Sequence, residues 1–321
     1  MPVFESPLTI DVRREAENIE RHIQELLNAG SAKRIIIGLS GGIDSAVLAT
    51  LAVRAVGPEC VYAYYLYDRD SSKESRAGAK LIADWLGIEL KLHDITPAMR
   101  KMKIYSPLIM RIIALSGSIN RYLNAKLNRL LYPAFGFIST LRKGSFGGSK
   151  IKRFLYKKTI GLVEAAFNAR HTYRRRFLEQ QSREKNCLLL GAANRSEFMV
   201  GWFVKGGIDD LPLSPMIGLY KTQVLQLAKY LGLPPEIRSQ TPSPDMTKGV
   251  TDEAALAISY ETLDIILDRM DHGMSDQEIV SKGISKKDLS LVRTMKHLSE
   301  WKRKAESPDL PAIRNIQVKY G

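Results

Sequence analysis

Hydrophobic and polar positions along this chain alternate between short apolar runs and longer amphipathic stretches, a pattern typical of strands followed by helices. The apolar runs predict four strands, near residues 35–38, 61–67, 88–95 and 186–191. Helical spacing predicts helices over residues 9–29, 44–52, 70–86, 160–181, 221–231 and 251–270. Because strands that alternate with helices of this length build βαβ units, we predict an α/β fold with a doubly wound parallel sheet.

The regular alternation stops in one segment, residues 100–160, where apolar and basic residues are mixed and no Asp or Glu occurs. A basic amphipathic segment is typical of contact with a membrane surface, another anionic partner or a partner groove. A dimerisation insert with a solvated basic face is the alternative. We treat 100–160 as a basic helical insertion in a single domain over 1–321, and expect the core to fold without residues 105–155.

Composition adds two constraints to this picture. The formal net charge of +14 indicates an anionic partner, such as a nucleotide, a nucleic acid or a membrane surface. No uncharged apolar run approaches the roughly 20 residues of a membrane span, and the two cysteines, Cys60 and Cys187, do not form a disulfide framework. We therefore expect a cytoplasmic enzyme, with a helical C-terminal region over residues 251–321.

The first candidate site lies directly after the first predicted strand, in the run Ser40-Gly41-Gly42-Ile43-Asp44-Ser45. Glycines let backbone N–H groups converge on an anion, and the helix that follows adds its positive end. The hydroxyls of Ser40 and Ser45 can donate to phosphate oxygens. Asp44 has the wrong charge for a bare phosphate, so it indicates a Mg²⁺ ion between the carboxylate and a polyphosphate.

Three later residues are candidates for the same site. Glu197 follows the fourth predicted strand, where a site residue lies in a parallel sheet, although it could be only a favourable first-turn acid. Lys221 begins a helix, the electrostatically poor end for a cation, which indicates an anionic partner. Ser243 is held in a loop between two prolines.

These segments carry a family resemblance. The run Ser40 to Ser45 resembles the SGGxDS pyrophosphate loop of the ATP pyrophosphatase (N-type) superfamily. The later blocks are similar, in order, to those of the NAD synthetase family. They are Asn168-Ala169-Arg170, Gly191 to Glu197, Leu219 to Gln223, Pro242 to Met246, Thr251-Asp252-Glu253 and Ile258 to Asp264.

The resemblance implies a fold like that of the adenine nucleotide alpha hydrolases and an ammonia-dependent ligase reaction. ATP is cleaved between its α and β phosphates, AMP is transferred to the carboxylate of nicotinic acid adenine dinucleotide, and ammonia displaces AMP to give NAD. By the resemblance, Asp44, Glu197 and Lys221 are the catalytic residues, and Asp44 and Glu197 hold Mg²⁺. The implied ATP contacts are Ser40, Gly41, Gly42, Ser45, Arg170, Lys221 and Ser243.

The acceptor pocket is where this chain departs from the family pattern. The family run K-Y-G-D-G-G is replaced by Lys205-Gly206-Gly207-Ile208-Asp209-Asp210, whose two acids are out of register. Lys302 and Arg303 lie where the family has a C-terminal K-R pair. Lys205, Asp209, Asp210, Lys302 and Arg303 are therefore the candidate substrate contacts, in a pocket that we expect to be altered.

The family likeness implies a homodimer, and the chain contains no recognisable glutaminase domain, so we expect it to use free ammonia or ammonia from a glutaminase partner. Two alternatives act on other substrates: a tRNA-modifying ATP pyrophosphatase, which the basic insert favours, and an NAD synthetase-like enzyme that amidates a different carboxylate. A non-catalytic nucleotide-binding protein is a third alternative. The presence of both Asp44 and Glu197 argues against it.

Overall fold

The central sheet has four parallel strands in the order β3-β2-β1-β4. A computed structural model describes residues 8–114, 117–130, 133–143, 150–243 and 249–304. The strands are β1 (Arg34–Gly38), β2 (Val61–Tyr67), β3 (Leu90–Asp94) and β4 (Cys187–Leu190). All four predicted strands are confirmed, with ends that differ from the prediction by at most two residues.

The strand order fixes where a ligand site can lie. The chain adds β2 and β3 on one side of β1 and then returns to place β4 on the other side. The direction of winding therefore reverses between β1 and β4. In open parallel sheets the crevice outside the carboxyl ends of two such strands is the usual binding position.

Both faces of the sheet are covered, because alternate residues of β1 enter different hydrophobic clusters. Ile35 and Ile37 pack with α1 (Val12–Ala29), α2 (Ile43–Val56), α3 (Lys73–Leu86), α11 (Lys221–Tyr230) and α12 (Pro235–Arg238). Ile36 packs on the opposite face with α4 (Thr96–Lys101) and α9 (Ile160–Lys185). The doubly wound α/β prediction is confirmed.

The insert is helical, as predicted, but one of its helices packs into the hydrophobic core formed by the C-terminal helices. It contains α5 (Leu108–Ile113), α6 (Gly117–Leu130), α7 (Phe135–Leu141) and α8 (Lys150–Lys158). Phe137, Ile138 and Leu141 of α7 are buried among the C-terminal helices. This packing argues against the expectation that the core folds without residues 105–155.

The predicted C-terminal helical region is helical over residues 251–304 but more broken than predicted, and its residues 305–321 lie outside the described residues. The single helix predicted over 251–270 is wrong: α13 (Asp252–Leu256) and α14 (Tyr260–Asp271) are separate. Ala257 lies in the left-handed region, with a φ of 57°, and Ser259 caps α14 by accepting from the Thr262 N–H. The remaining helices are α10 (Arg195–Val200), α15 (Asp276–Ser281), α16 (Lys286–Leu298) and α17 (Glu300–Arg303).

Within the described ranges, no helix combines the length and the apolar character needed to cross a bilayer.

Candidate active site

The glycine loop between β1 and α2 packs tightly against α3. Gly41 has a φ of 85°, and a Cβ added there would lie 2.0 Å from the Ser75 carbonyl oxygen. A Cβ on Gly78 of α3 would in turn lie 2.7 Å from the Gly41 carbonyl oxygen. Among the residues that the structure describes, a Cβ added at Gly42 would meet only Ser40 Oγ, at 3.5 Å, so the loop is closed on one side and open on the other with respect to those residues.

The two loop serines hold the turn together. Their Oγ atoms lie 3.0 Å apart, and the Gly42 N–H donates to Ser40 Oγ at 3.2 Å. Ser45 Oγ donates to the Gly42 carbonyl oxygen at 3.0 Å. The Ser40 and Ser45 hydroxyls, which we predicted as donors to phosphate, therefore also set the shape of the loop.

Three predicted residues from distant parts of the chain meet beside this loop. Lys221 is almost fully buried, at 2% exposure, and its Nζ donates to a carboxylate oxygen of Asp44 and, at 3.1 Å, to Glu197 Oε1. Asp44 follows β1, Glu197 follows β4, and Lys221 begins α11. The cluster therefore lies at the point where the direction of winding reverses.

Asn194 links the two carboxylates and was missed as a site residue. It is fully buried and caps α10: its Oδ1 accepts from the Glu197 N–H at 3.0 Å. Its Nδ2 donates to Asp44 Oδ1 at 2.9 Å. An Asn three residues before an acid is a recognisable N-cap signal, so sequence reasoning could have found it.

Two more residues complete the cluster from the C-terminal region. The Tyr260 hydroxyl donates to Glu197 Oε1 at 3.0 Å and lies 3.2 Å from Asp252 Oδ2. A phenol carries one proton, so the two carboxylates share it. Asp252 and Tyr260 were not predicted as site residues, because nothing in their local sequence indicates contact with Glu197.

The position of Lys221 is fixed from behind by a buried carboxylate. The Lys221 N–H donates to Ser196 Oγ at 2.7 Å, and Ser196 Oγ donates to Asp264 Oδ1. Asp264 Oδ2 accepts from the Thr222 N–H at 2.9 Å. This chain of bonds joins the first turn of α11 to α10 and α14.

Burial and the neighbouring charges act together on the pKa values in the cluster. Burial raises the pKa of Glu197 to about 7, with Asp44 and Asp252 adding to the rise and Lys221 opposing it. Burial would lower the pKa of Lys221, but the surrounding carboxylates outweigh it, so this pKa is raised. Three carboxylates around one ammonium leave the site with negative charge, which favours a further cation.

The oxygen donors fit magnesium. The Asp44 and Glu197 side chains are 21% and 20% exposed, so a cation can reach both. Mg²⁺ is commonly held by one or two carboxylates together with substrate phosphates. In the part of the chain that the structure describes, no larger group of His, Cys, Asp or Glu is arranged to hold a metal by itself.

Arg170 and Ser243 lie outside this cluster of contacts. Arg170 is fully buried and forms ion pairs with Asp68 at 3.0 Å and Asp70 at 2.5 Å, both just after β2. The Ser243 hydroxyl donates to the Val250 carbonyl oxygen at 3.3 Å within its own loop. Their contacts with ATP therefore stay predictions.

The basic candidates for the acceptor pocket bind main-chain carbonyls. Lys205, Lys302 and Arg303 together tie α17 to the turn that follows α10. Burial lowers the pKa of Lys302 to about 8. The accepting carbonyl groups belong to Met199, Gly201, Phe203, Lys296, Trp301 and Lys304.

The acidic candidates shape the loop on which they lie. Asp209 accepts from the Val204 N–H at 3.0 Å and pairs with His171 Nδ1 at 3.1 Å. Asp210 accepts from the Gly206 N–H at 2.9 Å. Burial would raise the pKa of Asp209, but the His171 and Val204 contacts outweigh it and leave that pKa lowered.

Comparison with known proteins identifies the family of this chain. Residues 15–108 and 149–306 match the family model for NAD synthase. The NH₃-dependent NAD⁺ synthetase of Thermotoga maritima is 32% identical over 264 residues, which cover 82% of this chain and 89% of that protein. That of Methanosarcina mazei is 29% identical over 306 residues, which cover 95% of this chain and all of that protein.

Solved structures share the fold. The NMN synthetase of Francisella tularensis aligns with a TM-score of 0.66 at 23% identity, over 94% of this chain and all of that one. The NH₃-dependent NAD synthetase of Campylobacter jejuni aligns with a TM-score of 0.62 at 20% identity, over 93% of this chain and 99% of that one. The chain therefore belongs to the NAD synthase family, ATP-binding ligases of NAD biosynthesis that form a carbon–nitrogen bond.

Proposed function

We propose that this enzyme adenylates the carboxylate of nicotinic acid adenine dinucleotide and amidates it with ammonia, giving NAD, AMP and pyrophosphate. The observation that carries the proposal is the buried Lys221 ammonium bound to both Asp44 and Glu197 beside the glycine loop. A cationic side chain and two carboxylates at one loop are suited to a polyphosphate that arrives with a divalent cation.

The glycine loop is the proposed cradle for the phosphates. Its open side at Gly42 leaves room for an anion close to the backbone, where a Cβ would otherwise lie. The following helix α2 contributes the positive end of its dipole. Because Ser40 and Ser45 fix the turn, the backbone donors are oriented before the nucleotide binds.

Asp44 and Glu197 are the proposed magnesium ligands. Asn194 orients the first and Tyr260 the second, through the hydrogen bonds described above. Bound Mg²⁺ would neutralise charge on the phosphates as pyrophosphate leaves. Lys221 would add positive charge at the same phosphates, held in place by Ser196 and Asp264 behind it.

The proposed reaction proceeds in two displacements. A carboxylate oxygen of the substrate attacks the α-phosphorus of ATP, and pyrophosphate leaves with the electrons of the broken bond. Ammonia then attacks the activated acyl carbon, AMP leaves, and the nitrogen loses a proton. A free carboxylate resists ammonia, so adenylation supplies the leaving group, and the enzyme contributes mainly positioning and charge neutralisation.

A direct assay tests the acceptor. The enzyme is incubated with ATP, Mg²⁺, ammonium and either nicotinic acid adenine dinucleotide or nicotinic acid mononucleotide, and the products are identified by mass. We expect NAD, AMP and pyrophosphate from the dinucleotide. Amidation of the mononucleotide alone would replace the proposed acceptor with the smaller one, a candidate because one similar fold is that of an NMN synthetase.

The nitrogen source and the assembly are tested in parallel. We expect free ammonium to support the reaction without glutamine. Failure with ammonium, followed by recovery on addition of a glutaminase and glutamine, would contradict this and favour a glutaminase partner. The homodimer implied by the family stays a prediction that sedimentation velocity tests.

A further inference from the structure

The insert helix α8 presents an uncovered apolar face. Ile151, Phe154 and Leu155 are 75%, 61% and 55% exposed. Their spacing of three and four residues places them on one side of the helix. Tyr156 points the other way: it is buried, and its hydroxyl donates to Glu164 of α9. The helix is thus attached to the protein by one side and shows apolar side chains on another.

The charged residues of α8 itself all have one sign. Lys150, Arg153, Lys157 and Lys158 of the same helix are all exposed. No acidic residue occurs between Asp94 and Glu164. An exposed apolar strip bordered by basic residues is the pattern of a helix that lies in the plane of a membrane interface.

Helix α6 repeats this chemistry in the same insert. Tyr122 and Leu123 are exposed, and Lys126 Nζ lies 5.7 Å from the centre of the Tyr122 ring. The other side of α6 is docked, because Asn124 and Asn128 both donate to the Ala254 carbonyl oxygen, at 3.0 and 3.1 Å. Helix α6 also falls in residues 109–148, which the family model does not match.

We infer that α8, together with the exposed side of α6, binds the surface of an anionic lipid bilayer. The apolar side chains enter the acyl boundary and the lysine and arginine side chains contact lipid phosphates. A second copy of this chain suits the face less well, because a two-fold contact would set basic residues against basic residues. A nucleic acid would satisfy the charge but offers no apolar phase to Ile151, Phe154 and Leu155.

The test is sedimentation of the full-length protein with vesicles. Vesicles of pure phosphatidylcholine are compared with vesicles of three parts phosphatidylcholine to one part phosphatidylglycerol, at low and high salt. We expect binding to the anionic vesicles to be on the order of tenfold stronger and to weaken as salt is added. Equal binding to both vesicles, or to neither, would overturn the inference.

Two variants distinguish binding through this face from non-specific binding to vesicles. The triple variant Ile151→Ser, Phe154→Ser, Leu155→Ser removes exposed apolar groups only, so we expect unchanged thermal stability and at least about tenfold weaker vesicle binding. The matched control is Leu225→Ser, at a 38% exposed leucine on α11, which should bind like the parent. If the triple variant binds vesicles normally, or instead dissociates an oligomer in sedimentation velocity, the face has another occupant and the inference fails.

Discussion

Replacing Gly41 by alanine tests how closely the glycine loop and α3 depend on each other. The backbone φ of 85° is a left-handed conformation that costs an L residue about 1–2 kcal/mol. The added Cβ would lie 2.0 Å from Ser75 O and 2.8 Å from Ala79 N, where ordinary contact begins at 3.4 Å. Because both atoms belong to the backbone of α3, the helix has to move, at a cost of about 1–3 kcal/mol.

The two costs predict that Gly41→Ala lowers the free energy of unfolding by about 2–5 kcal/mol. For a chain of 321 residues, this corresponds to a melting temperature lower by about 3–7 °C. The measurement is thermal and urea unfolding followed by circular dichroism. A variant that melts with the parent would refute the close packing of Gly41 on α3.

Gly42→Ala is the matched control. Gly42 has a φ of −88°, which any residue adopts, and within the described ranges its added Cβ meets only Ser40 Oγ, at 3.5 Å. We expect stability to stay within about 1 kcal/mol of the parent. If the open side of the loop receives phosphate, however, the methyl group will hinder ATP, and pyrophosphate release will fall. Normal release from a stable Gly42→Ala variant would refute the proposed cradle.

Three further predictions concern the cluster and its support. Asp44→Ala and Glu197→Ala should each abolish pyrophosphate release; near-normal release from either variant would contradict the magnesium assignment. Tyr260→Phe should raise the Mg²⁺ concentration needed for half-maximal rate, because Glu197 loses an orienting bond, whereas Tyr220→Phe should not; equal effects would show a purely structural role. Burial raises the pKa of Asp264 to about 6, so the folded protein favours the neutral carboxyl more than the unfolded chain does. The free energy of unfolding should therefore fall by about 3 kcal/mol as the pH rises from about 4 to about 6. Asp264→Asn should flatten the unfolding free energy across that range, and an unchanged pH profile would contradict the assignment.

The sheet could be predicted from local pattern alone. The β-branched run at 35–37 is buried on both faces, and the glycines that follow it can only be a turn, so β1 and its loop are encoded within ten residues. The meeting of Asp44, Glu197 and Lys221 was different. Periodicity places each at the end of a strand or the start of a helix, which makes them candidates for one site, and the family resemblance assigns them a shared role there.

The misses have physical causes. The residues around Ala257 are apolar and compatible with a continuous helix, so periodicity joins α13 and α14 across the break. Ser259, the N-cap of α14, is a local signal of the second helix that periodicity does not register. The substrate contacts of Lys302 and Arg303 stay predictions. A basic pair near a predicted pocket can bind a ligand or backbone carbonyls, and composition does not distinguish the two.

The break at Ala257 has a consequence for how this enzyme could be engineered. An alanine in the left-handed conformation costs about 1–2 kcal/mol of conformational free energy that a glycine would not cost. The strained residue joins the helices that carry Asp252 and Tyr260, so it helps to fix the angle at which the Tyr260 hydroxyl meets both Asp252 and Glu197. Ala257→Gly would relieve this strain but let the two helices change their relative angle, so the variant would hold Asp252 and Tyr260 less rigidly.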